Sequence, residues 1–199
     1  MEITLARPLA ERIVSSVSGH CHRAEIAGSV RRMKQNVKDI EIVARVLDWE
    51  STFESLRSWG KFIKPGVPEV IPWEPKVGAK YLRMMLDADL KLDLFLASEE
   101  NWGALYTMRT GGATGPDGNP FEGFVPGMFS RWKKVSGGGK MKGCMPTLPD
   151  GRSVIVREES DFFRVCGVEW VDPTSRISRS AITPVKNFKL SNERLDFIG

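Results

Sequence analysis

The nine residues KDIEIVARV, Lys38 to Val46, constrain this chain more than any other stretch. Ile40, Ile42 and Ala44 alternate with Asp39, Glu41 and Val43, the period-two pattern of a strand with one face buried. Side chains two apart on a strand emerge on the same face, so Asp39 and Glu41 are predicted to project together. Upstream, Arg23 to Ala27 reads as a short strand running into a Gly28-Ser29 turn, and Ser29 to Lys34 as the opening of a helix with its free amides aimed over that turn. A glycine at such a bend lets backbone approach a phosphate closely. Ser29 offers a hydroxyl and an amide, and Arg32 a planar guanidinium fork. Arg31 reads equally well as the partner of a carboxylate.

The remaining periodicities give a coarse map. Leu9, Ile13, Val14 and Val17 recur at helical spacing after Pro8 and predict a first helix ending near Gly19. Ser51 to Trp59 reads as a second helix and Pro65 to Pro75 as a loop. Tyr81 to Leu86 and Leu90 to Leu96 are strand candidates, the second alternating Leu90, Leu92, Leu94 and Leu96 against Lys91, Asp93 and Phe95. After Ala97 turn signals multiply, and a short helix, Ser160 to Cys166, is predicted to stop at Gly167. These features place a domain boundary between Ala97 and Ser98, giving units 1–97 and 98–199 of an α+β protein.

The three cysteines, Cys21, Cys144 and Cys166, show no CxxC spacing, so neither a disulfide framework nor a cysteine zinc site is expected. His20, Cys21 and His22 are consecutive and cannot all face one ion from a regular element; they read as the run-in to a strand. No apolar run reaches membrane-spanning length, and the first residues carry Glu2 and no apolar leader core, so an intracellular protein without a membrane partner is expected. It is expected to be cytoplasmic or nucleoid-associated, and a virus-encoded protein fits as well. The net charge of +4 is compatible with a nucleic-acid partner without demanding one. Its distribution is more telling: Arg131, Lys133, Lys134, Lys140 and Lys142 fall in one acid-free run, RWKKVSGGGKMK, and are the candidate DNA contacts. Trp132, inside that run, is the tryptophan singled out for base stacking. SGGGKMKG is not a Walker motif, because Met141 stands where Ser or Thr is required.

Two carboxylates converging on a strand suit a hard cation such as Mg²⁺, which takes few protein ligands and fills its shell with water and phosphate oxygens. Two-metal phosphoryl transfer needs two ions about 4 Å apart, and hence a third carboxylate from another strand. Asp93, flanked by Leu92 and Leu94, fits best; Asp89 shares its face and is the alternative, with Asp87 in the preceding turn. Taken singly, D-x-E and L-D-L are common on half-exposed strands, and only their combination with Gly28, Ser29, Arg31 and Arg32 raises them above solvated surface.

With these residues in place the chain resembles the family X DNA polymerases, of the DNA polymerase beta type, within the nucleotidyltransferase superfamily. Gly28, Ser29, Arg31, Arg32, Asp39, Glu41 and Asp93 match the family's order and spacing, with Asp39 ten residues beyond Ser29. Asn101 to Gly112 resembles the segment lining the sugar and base of the incoming nucleotide, and Glu158 to Arg176 the closing thumb motif, in which a helix ends in Gly and a strand ends in Pro before an Arg. Glu41 stands where the family has a second Asp, and Met108-Arg109-Thr110-Gly111 stands for Y-F-T-G. The resemblance covers about Arg7 to Arg176. It implies a palm with a small mixed sheet flanked by helices over 1–97, and a small α+β thumb over 98–199. It implies a monomer acting on primer-template or gapped DNA and a dNTP with two Mg²⁺ ions, Mn²⁺ substituting. Asp39, Glu41 and Asp93 become catalytic metal ligands, and Gly28, Ser29, Arg32, Lys38, Tyr106, Arg109, Thr110 and Gly111 nucleotide contacts. The basic stretch after Arg176 reads as a DNA contact or a solvated tail. Two other functions use the same residues differently: template-independent nucleotide addition to a DNA or RNA end or another acceptor, and non-catalytic nucleic-acid binding.

Overall fold

Five strands of the first half of the chain form one mixed sheet in the computed structural model, which describes residues 1–67, 69–86, 90–191, 193 and 195–198. The chain divides into two compact units, Met1–Ala97 and Ser98–Gly199. In the first, the order is α1 (Ile3–Ser18), β1 (Cys21–Ile26), α2 (Gly28–Arg31), β2 (Asp39–Val46), α3 (Trp49–Arg57), β3 (Gly60–Ile63), β4 (Tyr81–Leu86) and β5 (Lys91–Leu96). Across the sheet the strands run β1-β2-β5-β4-β3; β2 and β5 are parallel and every other pair is antiparallel.

Alternation decides which face is which. Ile40, Ile42 and Ala44 of β2, Leu82, Met84 and Leu86 of β4, and Leu92 and Leu94 of β5 join Ala6, Ala10, Ile13 and Val17 of α1 and Phe53 and Leu56 of α3 in one apolar cluster. The residues between them, Asp39 and Glu41, Tyr81 and Arg83, and Asp93 and Phe95, therefore line the opposite face. The protein is α+β, with a mixed five-stranded sheet flanked by helices.

Three local readings are corrected. The first helix starts at Ile3 rather than after Pro8, which lies inside it. Met1 and Ile3 bond the 35–37 segment (Ile3 N–H to Gln35 O, 2.9 Å; Val37 N–H to Met1 O, 2.8 Å), and this strap starts the helix early. The helix expected over Ser29 to Lys34 is a single turn ending at Arg31. β3 was not expected; it is a four-residue edge strand on β4, and Gly60 fits because a Cβ there would strike the Met85 carbonyl.

The second unit holds α4 (Trp102–Thr110), α5 (Phe124–Val135), α6 (Glu159–Cys166) and an antiparallel sheet of four short strands, β6 (Lys140–Lys142), β7 (Met145–Thr147), β8 (Ser153–Val154) and β9 (Phe197–Ile198). Its core gathers Phe124, Met128, Trp132, Phe162, Phe163, Val165 and Cys166. Trp132 is therefore no stacking platform: it is fully buried, its indole N–H donating to Lys140 O at 3.1 Å. Trp170 is the exposed one, at 53%. α6 stops where expected, at Gly167 in the left-handed conformation (φ 61°). The strand expected after it is a single bridge, Val168 to Pro184. Beyond Arg176, Phe197–Ile198 completes the sheet against β8 and Asp196 pairs with Arg157 at 2.8 Å, while the basic Arg179, Lys186 and Lys189 are exposed. Among the described residues no helix is long and apolar enough to cross a membrane.

Candidate active site

The parallel pairing of β2 with β5 sets Glu41 beside Asp93 and Asp39 beside Lys91. Two carboxylates from β2 and one from β5 thus occupy one face of the sheet, opposite the helix-packed core. Asp39 and Glu41 are half-buried, while Asp93, on the central strand, is only 4% exposed. Burial and the neighbouring Asp93 charge push the Asp39 carboxyl above its ordinary value, against the pull of Arg83, Arg32 and Lys38. Asp39 therefore binds a proton more tightly than a free aspartate does.

The turn before β2 is tied to the same place. Ala27 N–H donates to Glu41 O at 2.8 Å. Gly28 has φ 61°, and a Cβ on it would collide with Glu41 Oε2. The glycine is needed because the Glu41 side chain lies against it. Next to it, Ser29 Oγ is enclosed and has no hydrogen-bond partner among the described residues. Leaving a buried hydroxyl unsatisfied costs about 1–3 kcal/mol, which a ligand oxygen would relieve. Arg32 is drawn into the same environment: burial lowers its pKa, and the Glu41 and Asp39 charges oppose that shift. Lys38 is exposed at the strand entrance.

A charge buried as deeply as Asp93 must be paired. Arg83, its register partner on β4, donates Nε to Oδ1 at 2.6 Å and Nη2 to Oδ2 at 2.7 Å, and Tyr81 OH donates to Oδ1 at 2.7 Å. The hydrogen bonds and charge of Asp93 raise the Arg83 pKa, and burial followed by donation to Asp93 raises that of the Tyr81 phenol. Sequence reading missed both residues. Their signal was present in YLRMML, where Tyr81 and Arg83 share the face opposite Leu82 and Met84, but the partner became visible only with the strand order.

The donors suit a hard divalent cation in kind and share one face. Even so, among the described residues no three His, Cys, Asp or Glu side chains are gathered closely enough to hold one. Both oxygens of Asp93 are engaged by β4. Asp87 and Asp89 lie outside the described residues.

The other predicted contacts belong to the second unit. Tyr106 and Thr110 are buried, Tyr106 lying 5.6 Å from Trp102 between ring centroids. Arg109 is half-buried in the last turn of α4. Gly111 closes α4, its N–H bonded to Thr107 O, and a Cβ there would press on Phe124 and Val125. Packing thus accounts for Thr110 and Gly111 without a nucleotide. Of the basic run, Lys133, Lys134, Lys140 and Lys142 are exposed. Arg131 is not available in the same way: it donates to Cys166 O (2.9 Å) and Gly167 O (3.0 Å), capping the end of α6.

Comparison of the chain with protein-family models and with curated proteins found no match.

Proposed function

We propose that this chain is a nucleotidyltransferase of the family X DNA polymerase type, which moves a nucleotide from a dNTP to a primer 3′-hydroxyl with release of pyrophosphate. The observation that carries the reading is that Asp39, Glu41 and Asp93 lie on one sheet face beside a turn whose enclosed Ser29 hydroxyl has no hydrogen-bond partner among the described residues. A non-catalytic binder has no use for three acidic groups on a half-buried face.

In this reading Gly28 and Ser29 receive the triphosphate through backbone and hydroxyl, and Arg32 neutralises its charge. Asp39, Glu41 and Asp93 would be the residues to hold Mg²⁺ or Mn²⁺, which would supply neutralisation of phosphate charge and a lowered pKa for the primer hydroxyl. The protein's share is placement and charge complementarity, with no covalent intermediate on a side chain. Lys133, Lys134, Lys140 and Lys142 contribute sequence-independent attraction for DNA phosphates.

The test is primer extension with Mg²⁺, with and without template, using each dNTP and then each NTP. Template-directed dNTP incorporation that Asp39→Ala removes, with the fold intact by circular dichroism, is the expected result. Extension without a template moves the activity to end addition. Incorporation retained by Asp39→Ala overturns the site.

A further inference from the structure

We propose that the outer edge of β1 pairs with β1 of a second copy of this chain, joining the two mixed sheets about a two-fold axis through Ala24. Such a dimer is independent of the chemistry proposed above and replaces the monomer that the resemblance implies.

The two edges of the sheet differ. β3 is the last strand on one side, and the 71–73 segment lies along it: Ile63 bridges Pro72, Lys64 N–H donates to Ile71 O at 2.8 Å, and Trp73 N–H donates to Phe62 O at 3.1 Å. Ile71 and Trp73 bond inward, so Pro72 faces outward, and it has no N–H to offer a further strand; an edge is closed in this way. β1 ends the other side. Backbone groups alternate in direction along a strand. Ala27 N–H donates inward to Glu41 O, so Glu25 and Arg23 also bond toward β2, and the N–H and C=O of Ala24 between them point off the edge.

Charge decides what fits there. Arg23 and Glu25 sit on the carboxylate-bearing face, opposite Arg45 and Val43 of β2, with side chains 35% and 43% exposed. Their own pair is long, Arg23 Nε to Glu25 Oε1 at 3.4 Å. An antiparallel copy centred on Ala24 sets Ala24 against the partner's Ala24 as a hydrogen-bonded pair. It sets Arg23 against the partner's Glu25, with the reciprocal pair across the axis. These flanking pairs are of the close kind, in which side chains meet best. A strand of like charges would repel its own copy; this one is complementary to itself. The bulge between Cys21 and Arg23 keeps the ladder short, so association is weak and reversible. The axis stands perpendicular to the sheet, which keeps both carboxylate faces on one side with the two β2 strands about 14 Å apart, three strand spacings.

Analytical ultracentrifugation of the full chain from about 10 μM to about 1 mM tests this without reference to activity, and the unaltered chain is expected to pass from monomer to dimer over that range. Arg23→Glu and Glu25→Arg each set like charges opposite one another across the axis. Each is expected to weaken dimerisation about tenfold or more, because the two-fold reverses both pairs at once. Arg23→Glu with Glu25→Arg restores opposite pairs and is expected to return dimerisation to within about threefold of the unaltered chain. Rescue is the informative sign, since substitutions that merely distort β1 do not cancel. Ala24→Pro keeps both charges but removes the outward N–H, and is expected to leave a monomer; it carries the test if the charge variants do not fold by circular dichroism.

A chain that stays monomeric up to about 1 mM overturns the proposal. Weakening in both single variants without recovery in the double one overturns the pairing. A dimer that withstands the charge reversals and Ala24→Pro also overturns it, and places the contact elsewhere on the surface.

Discussion

At Gly28 the backbone turns with φ 61°, and the side chain of Glu41 occupies the space a Cβ would need. The two residues are thirteen apart in sequence, yet each dictates the other. Alanine at position 28 meets two penalties, the left-handed backbone and a collision with the Glu41 side chain from its Cβ to its carboxylate, so Glu41 must shift. Gly28→Ala is thus expected to leave circular dichroism unchanged while Mn²⁺ affinity and nucleotide incorporation each fall by about tenfold or more, the equivalent of losing one good ligand. Equal loss in both readouts is the signature of a displaced Glu41; loss of incorporation alone would point to the phosphate approach. Gly28 was legible from its place between a strand and two arginines, though for the phosphate reason only. Arg83 was not legible, because pairing it with Asp93 requires knowing that β4 and β5 are neighbours in register, which no local pattern states.

At the scale of elements, legibility followed alternation and punctuation. β2 and β5 announced themselves by period-two patterns, β4 as a strand candidate, and α6 by the glycine that stops it. β3 and β6 to β9 are two to four residues long, too short for a period to register, and exist because a partner strand pairs with them. α6 also shows a buried ion pair hidden from sequence. Glu159 Oε1 accepts Arg176 Nη1 at 2.6 Å and Thr107 Oγ1 at 3.1 Å, with the two charged side chains 8% and 0% exposed. Arg176 also donates to Val171 O and lies 4.9 and 4.7 Å from the Phe163 and Trp170 rings. Removing the arginine takes away the cation paired with the buried Glu159 carboxylate. Arg176→Leu is expected to destabilise the protein by about 3–5 kcal/mol in urea denaturation, and Arg176→Leu with Glu159→Leu to recover a large part of that. If the double variant were no more stable than the single one, the arginine would matter through its ring contacts rather than its charge.

Over the whole molecule, sheet and core sort cleanly by unit. All five strands of the mixed sheet and every residue of its apolar cluster lie in Met1–Ala97, and all four strands of the antiparallel sheet lie beyond Ser98. The residues of the proposed site sort the same way: Gly28, Ser29, Arg32, Asp39, Glu41, Arg83 and Asp93 in the first unit, the exposed Lys133, Lys134, Lys140 and Lys142 in the second. A fragment ending at Ala97 cuts no sheet and no core, so it is expected to fold, with Mn²⁺ affinity within about threefold of the full chain. The same fragment should lose most affinity for DNA and most of its salt dependence, since about four phosphate contacts give a slope near −4 in log K against log salt. Isothermal titration with Mn²⁺, and DNA binding followed by anisotropy at several salt concentrations, measure the two quantities separately. A folded fragment that binds Mn²⁺ but not DNA locates metal chemistry and nucleic-acid attraction in different units. A folded fragment that has lost Mn²⁺ would mean that the three carboxylates are insufficient alone and that a ligand from beyond Ala97 completes the site.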